Sequence, residues 1–297
     1  MNETIFSKLR ISWQQQFQVP YLLRTALLLI IFIIVFTKSK NYFVGLFFVP
    51  DRYVYDHPRF HDIPFEELTF PTSYGQRLHG FFFKPNTKPK GTIIHCHGNA
   101  ANVTNHFPLV LFLAKDGFNV LSFDYQGYGQ SDGKPSPQAI VDDTMAAIEF
   151  IRLRKDVDPL RIGLFGQSLG GAAAAAAMAK DPTITCLVLE GAFPTYRSMA
   201  WATHLGKLLF FLTPFVIPGE GPIKNLPDIA PRPILILHGL DDGLIPYRFA
   251  HELYNAASHK KSLRIIKGLH HLHGEEVEKE YQGEVLSFFN QHLSAAP

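Results

Sequence analysis

The sequence predicts an α/β fold in which helices flank a mostly parallel eight-stranded sheet. From residue 65 onward, short apolar runs bounded by Gly, Pro or Asp recur along the chain, as is typical of strands buried on both faces of a parallel sheet. Segments of helical periodicity separate these runs, and this alternation implies helices on both faces. Apolar residues make up 46% of the 297 residues and charged residues 18%, which suits a large buried core.

Eight segments have the pattern of strands: 65–70, 77–83, 92–97, 119–124, 161–166, 184–190, 233–239 and 262–267. The short connection TSYGQ between the first two predicts an antiparallel hairpin at the sheet edge. Helices are predicted for 103–115, 135–154, 169–180, 247–257 and 275–292. Together these elements predict one domain that covers residues 65–297.

An apolar segment precedes this domain. Residues 21–37 contain the run ALLLIIFIIVF and reach the lower end of the length of a bilayer span. A cleaved signal peptide is the main alternative, but the following TKSKNYF offers no small-x-small cleavage site. A buried core helix is a further alternative, although the segment is apolar all round. We expect an N-terminal tail over 1–20, a single-pass membrane anchor over 21–37 and a juxtamembrane connector over 38–64. Basic residues balance on its two sides, so its orientation stays open.

Charge and cysteine content exclude some classes of protein. The formal net charge is +2 and no basic run carries interleaved aromatic residues, so no nucleic-acid partner is expected. The two cysteines, Cys96 and Cys186, stand in apolar strand-like runs and are expected to be free core thiols, with a disulfide as the alternative.

The strongest chemical signal is Gly-Gln-Ser-Leu-Gly between an apolar strand and an alanine-rich helix. A serine hydroxyl is a weak nucleophile unless it is exposed, aligned with a base and faced by amide donors. A strand-to-helix elbow exposes the serine, and Gly166 and Gly170 are needed there because side chains would collide with the neighbouring strand and helix. Ser168 is therefore predicted to be a catalytic nucleophile. The alternative is an ordinary turn serine that caps a helix.

The string His-Cys-His-Gly-Asn ends an earlier strand. It predicts an oxyanion hole in which the amides of Asn99 and of Leu169, the residue after the nucleophile, stabilise the charge of a tetrahedral intermediate. Metal binding is the alternative, but alternation along a strand places His95 and His97 on one face and Cys96 on the other. No metal is expected here, and His97 is expected to brace the loop by hydrogen bonding.

The catalytic acid should follow the serine in the chain. Asp241 and Asp242 stand in the loop after the seventh predicted strand, where a carboxylate can reach an imidazole. Asp242 is favoured over Asp241. Glu190, at the end of the preceding strand, is a further candidate.

The base is expected on the loop after the last strand, Gly-Leu-His-His-Leu-His-Gly. Three histidines compete for the role, and His271 is favoured over His273 and then His270. A metal cluster is the alternative, but no carboxylate or cysteine stands at matching spacing.

From about residue 60 to its end, the chain resembles the α/β-hydrolase superfamily, and within it the membrane-anchored serine hydrolases known as α/β-hydrolase-domain proteins. The strings that carry the resemblance are HGNA (97–100), DYQGYGQSDG (124–133), GQSLGG (166–171), HGLDDGLIP (238–246) and the histidine loop (268–274). The family pattern HG-x-x-D-x-x-[IV]-P implies Asp242 as the acid, and the pattern G-x-x-H implies His271 as the base. The flanking histidines depart from the family pattern. The resemblance implies a hydrolase, and its layout fits an N-terminal anchor. The acyl-transfer chemistry expected of Ser168 with an acid and a base needs no cofactor.

These residues predict hydrolysis of an ester or thioester through an acyl-enzyme on Ser168. A peptidase or amidase with the same triad is one alternative, and a non-catalytic binding protein is another. Residues 193–232, rich in large apolar side chains, lie where this fold often carries a lid. They predict a small helical cap with an apolar acyl-binding wall, or else a helix packed on the sheet. A cap of this kind beside an anchor favours lipid-like or acylated substrates, so the expected partners are an acyl substrate and a membrane.

Overall fold

The apolar runs form the strands of a mixed sheet in the computed structural model, which describes residues 47–202, 220–258, 260–271 and 275–294. In chain order the strands are β1 (Val49–Pro50), β2 (Phe65–Pro71), β3 (Arg77–Phe83), β4 (Thr92–Cys96), β5 (Ala100–Ala101), β6 (Asn119–Phe123), β7 (Ile162–Gln167), β8 (Cys186–Glu190), β9 (Ile234–Gly239) and β10 (Lys261–Ile266). Eight of them form one sheet in the order β10-β9-β8-β7-β4-β6-β3-β2. The predicted hairpin β2–β3 lies at its edge and is antiparallel, and β3 also pairs antiparallel with β6. The predicted mostly parallel eight-stranded sheet is confirmed.

Helices connect the strands. They are α1 (Val103–His106), α2 (Leu111–Lys115), α3 (Pro137–Arg152), α4 (Leu169–Lys180), α5 (Tyr196–Ala202), α6 (Pro222–Ile229), α7 (Arg248–Ala256) and α8 (Glu275–Leu293). The sequence predicts one helix over 103–115, whereas the structure has α1, a 3-10 turn at Phe107–Val110 and α2. Pro108 lies in that turn, and proline favours a break because it has no N–H to donate.

Two apolar clusters, one on each face of the sheet, form the core. Consecutive side chains of β7 point to opposite faces, so Leu164 belongs to one cluster and Phe165 to the other. Helices α3, α4, α6 and α7 contribute to the first cluster, and α1, α2 and α8 contribute to the second. Helices therefore cover both faces, as predicted. Cys96 and Cys186 are buried and free, which confirms the expected pair of core thiols.

The described part of the predicted connector, residues 47–64, packs on the domain. Its side chains Phe48 and Ile63 are only 6% and 8% exposed. Phe48 belongs to the first core cluster and Ile63 to the second. Within it, β1 pairs in parallel with β5 to form a second, two-stranded sheet that the sequence does not predict.

The predicted cap is described only at its two ends, α5 and α6. Helix α6 buries Leu226 and Ile229 in the core cluster that also contains α4, so this end of the segment is a helix packed on the domain. Residues 203–219 of the predicted cap, the predicted tail over 1–20 and the predicted anchor over 21–37 lie outside the described residues. Within the part of the chain that the structure describes, no helix combines the length and apolar character needed to cross a membrane.

Candidate active site

The candidate nucleophile stands at a strained elbow. Ser168 joins β7 to α4 with φ 51° and ψ −113°, a left-handed conformation that side-chain-bearing residues rarely adopt. Two backbone hydrogen bonds hold it there: its N–H donates to the carbonyl of Glu190 at 2.8 Å, and its carbonyl accepts from Gly171 at 3.1 Å. The serine thus stands at the carboxyl end of a central strand, as predicted.

Glycines flank this elbow because backbone atoms approach closely. A Cβ at Gly170 would lie 1.9 Å from the carbonyl oxygen of Cys96, at the end of the neighbouring strand β4. A Cβ at Gly166 would lie 2.7 Å from the carbonyl oxygen of Gly170. Both distances are far inside van der Waals contact, which confirms the predicted need for glycine at the two positions.

The predicted oxyanion donors, Asn99 and Leu169, belong to the two segments that approach each other at the elbow. Asn99 lies in the loop after β4, and Leu169 follows the nucleophile. Leu169 is the first residue of α4, and the first amides of a helix have no intrahelical acceptor. Among the residues that the structure describes, the amides of Asn99 and Leu169 donate to no protein acceptor, so both can serve a ligand. His97 donates through Nδ1 to the carbonyl of Gly98 at 2.7 Å, which confirms its expected bracing role. In the described residues no three His, Cys, Asp or Glu side chains are grouped to hold a metal ion.

The carboxylate of Asp242 is fully buried and accepts several hydrogen bonds. Its Oδ1 accepts from the amides of Leu244 at 2.9 Å and Ile245 at 2.8 Å. Its Oδ2 lies 2.7 Å from Nδ1 of His270, and 3.3 Å from Nε2 of His238, whose own hydrogen bond goes to the carbonyl of Ile245 at 2.8 Å. Burial by itself would raise the pKa of Asp242, but these hydrogen bonds outweigh it and hold the pKa well below its ordinary value. Asp242 is therefore ionised at neutral pH.

Two adjacent histidines reach two different carboxylates. The sequence pattern predicts His271 as the partner of Asp242, but the structure pairs Asp242 with His270, and His271 lies with Nδ1 3.2 Å from Oε2 of Glu190. His271 itself has φ 60°, a left-handed conformation, at the point where the two side chains diverge. The two rings nevertheless stay close, with centroids 4.1 Å apart. His273 lies outside the described residues.

The pair formed by Glu190 and His271 favours the charged forms of both groups. Burial alone would lower the pKa of His271, but the Glu190 carboxylate outweighs it and raises this pKa above its ordinary value. Burial alone would raise the pKa of Glu190, yet His271, with help from His270 and Gln167, lowers it. The ring of His271 also faces the predicted oxyanion loop, because its Nε2 lies 3.4 Å from where a Cβ of Gly98 would stand.

A chain of buried hydrogen bonds continues from Glu190 across the sheet. The amide nitrogen of Gln167 donates to Oε2 of Glu190 at 2.6 Å. Its amide oxygen accepts from Nε2 of His95 at 2.7 Å, and Nδ1 of His95 accepts from the hydroxyl of Ser122 at 2.8 Å. Burial lowers the pKa of His95 to about 3, so its ring is neutral, as this pattern requires. The sequence does not single out Gln167 or Ser122; the only signal is the polar position beside the nucleophile.

Comparisons with known proteins identify relatives of this chain. A family model described as serine aminopeptidase, S33, matches residues 87–220. The chain is 34% identical to YfhR of Escherichia coli K12 over 259 residues, which cover 83% of this chain and 88% of that protein. It is 35% identical to the alpha/beta hydrolase domain-containing protein WAV2 of Arabidopsis thaliana over 212 residues, which cover 65% of this chain and 67% of that protein.

A solved structure shows a similar fold. The Pyrococcus furiosus esterase Pf2001 superposes with a TM-score of 0.70 at 20% identity, over 84% of this chain and 99% of that one. At this level of identity the likeness concerns the fold.

Proposed function

Because this chain belongs to the α/β-hydrolase family of serine hydrolases, we propose that it cleaves carboxylic ester or thioester bonds through an acyl-enzyme on Ser168. The observation that carries this proposal is the 2.7 Å contact between the buried carboxylate of Asp242 and Nδ1 of His270, on the loops that follow β9 and β10. This contact is the acid–base half of a triad. We take His270 as the base in place of His271, because His270 is the ring that Asp242 orients.

In the proposed reaction these groups act one after another. With Nδ1–H donated to Asp242, the other ring nitrogen of His270, Nε2, is free to accept the proton of the Ser168 hydroxyl. Oγ then bonds to the substrate carbonyl carbon, and the carbonyl electron pair moves onto the oxygen. The amides of Asn99 and Leu169 hold this oxyanion. Collapse of the intermediate breaks the bond to the leaving alcohol or thiol, which takes the proton from His270 and leaves the acyl group on Ser168.

Water completes the cycle by the same steps in reverse. His270 removes a proton from water as the oxygen attacks the acyl carbon, and the same two amides hold the second oxyanion. The carboxylic acid departs and Ser168 recovers its proton. No step requires a cofactor.

The residues around the site support an apolar acyl group. Leu240 and Leu244 flank Asp242 and are 46% and 55% exposed, and Leu269 precedes His270 and is 60% exposed. Large exposed apolar side chains on the loops that carry the acid and the base would contact whatever binds there. We therefore include lipid-like or acylated substrates in the proposal. One relative, described as the lysophosphatidylserine lipase ABHD12 of Xenopus tropicalis, is 32% identical over 59% of this chain and 49% of that protein.

A membrane location is part of the same proposal. It rests on the apolar segment at 21–37, which has the length of a short bilayer span. The full-length protein is expected to remain in the membrane pellet after an alkaline carbonate wash. Release of the intact chain into the supernatant would contradict an integral anchor.

The central experiment combines active-site labelling with a chain-length series. A fluorophosphonate probe is expected to label the wild-type protein and Ser73→Ala, whose serine is exposed and lies in the turn of the edge hairpin β2–β3, but not Ser168→Ala. In a series of p-nitrophenyl esters, kcat/KM is expected to rise from acetate to longer acyl chains. Equal labelling of Ser168→Ala would overturn the nucleophile, and a preference for acetate would overturn the apolar acyl group.

A peptidase or amidase is the second candidate. The observation that favours it is the match of residues 87–220 to the model described as serine aminopeptidase. Ester and amide substrates that share one acyl group, such as an acylated amino-acid p-nitrophenyl ester and its p-nitroanilide, separate the two. A kcat/KM on the anilide equal to or above that on the ester would favour the peptidase.

A further inference from the structure

The segment Phe47–Tyr55, which we call the strap, runs along the loop that carries the predicted oxyanion donor Asn99. Strand β1 of the strap pairs in parallel with β5 of this loop, so Val49 lies opposite Ala100. The pairing continues past the strand, because the amide of Asp51 donates to the carbonyl of Ala101 at 3.2 Å. The strap therefore adds a strand to the residues next to Asn99.

The side chain of Asn99 is held between the strap and the domain. Its Oδ1 accepts from the amide of Val49 at 3.1 Å and from the hydroxyl of Tyr128 at 2.9 Å. Its Nδ2 donates to the carbonyl of Phe47. With both ends of the carboxamide bonded, the orientation of the residue is fixed while its backbone amide is left to serve the reaction.

A second set of bonds holds the end of the loop. Nδ2 of Asn102 donates to Oδ1 of Asp51 and to the carbonyl of Tyr53, each at 2.7 Å. The other end of the same side chain, Oδ1, accepts from the amide of Thr104 at 2.9 Å and caps helix α1. The amide of Tyr55 then donates to the hydroxyl of Thr104 at 3.0 Å.

One residue of the loop has an unfavourable backbone conformation, which hydrogen bonds on both sides of the loop help to hold. Ala101 has φ 63°, a left-handed conformation that costs free energy in any residue with a Cβ. On the inner side, the carboxylate of Asp124 accepts from the amide of Val103 at 2.7 Å. On the outer side, the strap makes the hydrogen bonds described above. The loop is therefore held between two sets of hydrogen bonds.

We propose that the strap is a positioning element of the oxyanion hole and sets the place of the Asn99 amide through Asp51 and Asn102. This inference rests on the proposed hydrolase function. It gives the segment between the predicted anchor and the catalytic domain a part in the reaction. Neither Asp51 nor the side chain of Asn102 touches the reacting atoms.

The test uses Asn102→Ser in the full-length chain. Serine keeps an oxygen that can cap α1 but lacks the Nδ2 donor to the strap. Loss of a whole oxyanion donor lowers kcat by about 10²- to 10³-fold, so a displaced amide is expected to lower it by roughly 10-fold. KM is expected to stay within about twofold, whereas binding of a trifluoromethyl ketone, which forms a tetrahedral adduct with the serine, weakens with kcat/KM.

Two further variants separate positioning from general stability. Asp51→Ala is expected to lower kcat as much as Asn102→Ser does. Asp51→Asn keeps an acceptor for Asn102 and is expected to retain most of the wild-type kcat. Ser136→Ala removes the cap of α3, where the hydroxyl accepts from the amide of Ala139 at 3.0 Å, and is expected to lower the Tm without lowering kcat.

The rate of fluorophosphonate labelling distinguishes failure of this inference from failure of the proposed function. A wild-type protein that is not labelled contradicts the proposed function, and with it the inference. A wild-type protein that is labelled, together with Asn102→Ser and Asp51→Ala labelled at the same rate and with unchanged ketone affinity, overturns the inference alone.

Discussion

The pairing of the two adjacent histidines predicts opposite effects for the same substitution. Asparagine retains a donor near the position of Nδ1 but lacks Nε2, and it tolerates the left-handed conformation of His271. Nδ1 of His270 lies 2.7 Å from the fully buried carboxylate of Asp242, and for this reason we assign His270 as the base. The substitution His270→Asn therefore removes the base. Loss of a triad base lowers kcat by about 10⁴- to 10⁶-fold, equivalent to roughly 5.5 to 8 kcal/mol of transition-state stabilisation.

His271→Asn is the matched control for that substitution. It preserves a donor for Glu190, which lies 3.2 Å from Nδ1 of His271, and it leaves the contact between Asp242 and His270 in place. We expect a loss in kcat below about 10²-fold, the lower limit for a group that takes part in proton transfer. Steady-state hydrolysis of a p-nitrophenyl ester gives kcat and KM, and circular dichroism confirms that both variants are folded. A loss of 10⁴-fold or more in His271→Asn with little loss in His270→Asn would refute the assignment.

Three further predictions concern stability. Burial raises the pKa of Asp143 from 3.8 to about 7, so the stability linked to its neutral form is complete below pH 3.8 and is lost as the pH rises through about 7. In urea unfolding, the free-energy difference between Asp143→Asn, whose side chain stays neutral, and wild type should therefore shift in favour of the variant by at most about 4 kcal/mol between pH 4 and 8; a difference that is flat with pH would contradict this. Gly170→Ala, which would place a Cβ 1.9 Å from a backbone oxygen, should lower the Tm by more than about 5 °C, while Gly283→Ala on the exposed face of α8 should not lower it. Leu226→Ala, at a fully buried position of α6, should cost about 2 to 5 kcal/mol in unfolding free energy, and a cost below 1 kcal/mol would show that α6 contributes little to the core.

Most of the sheet could be predicted because its strands carry local patterns. The bounds of β3 and of α4 agree with the sequence prediction, since an apolar run and an alanine-rich helix leave little ambiguity. Strands β1 and β5 have two residues each and no periodicity, so only their pairing identifies them. The connector was therefore predictable as a segment but not as a strap on the loop after β4.

The site was predictable in its loops but not in the pairing within them. The elbow, the loop of Asp242 and the histidine loop follow from glycine and strand-end patterns. Which of two adjacent histidines meets the acid depends on the local backbone and side-chain conformation of the loop, and the spacing of residues in the sequence does not encode it. Glu190 was visible as a strand-end carboxylate. The sequence does not indicate that Glu190 pairs with His271, and only the structure shows this contact.

The hydrogen-bond chain from Ser122 to Glu190 also limits how the protein can be redesigned. Its four side chains stand on β6, β4, β7 and β8, which are neighbours in that order in the sheet. Removing one member leaves a buried donor or acceptor unpaired, whereas replacing two bonded members together with apolar groups of similar shape removes both demands. Effects of substitutions along the chain should therefore be strongly epistatic, with double replacements less harmful than the sum of the single ones. A substitution at Ser122 is therefore expected to act on the carboxylate of Glu190, three strands away in the sheet, through the hydrogen bonds between them.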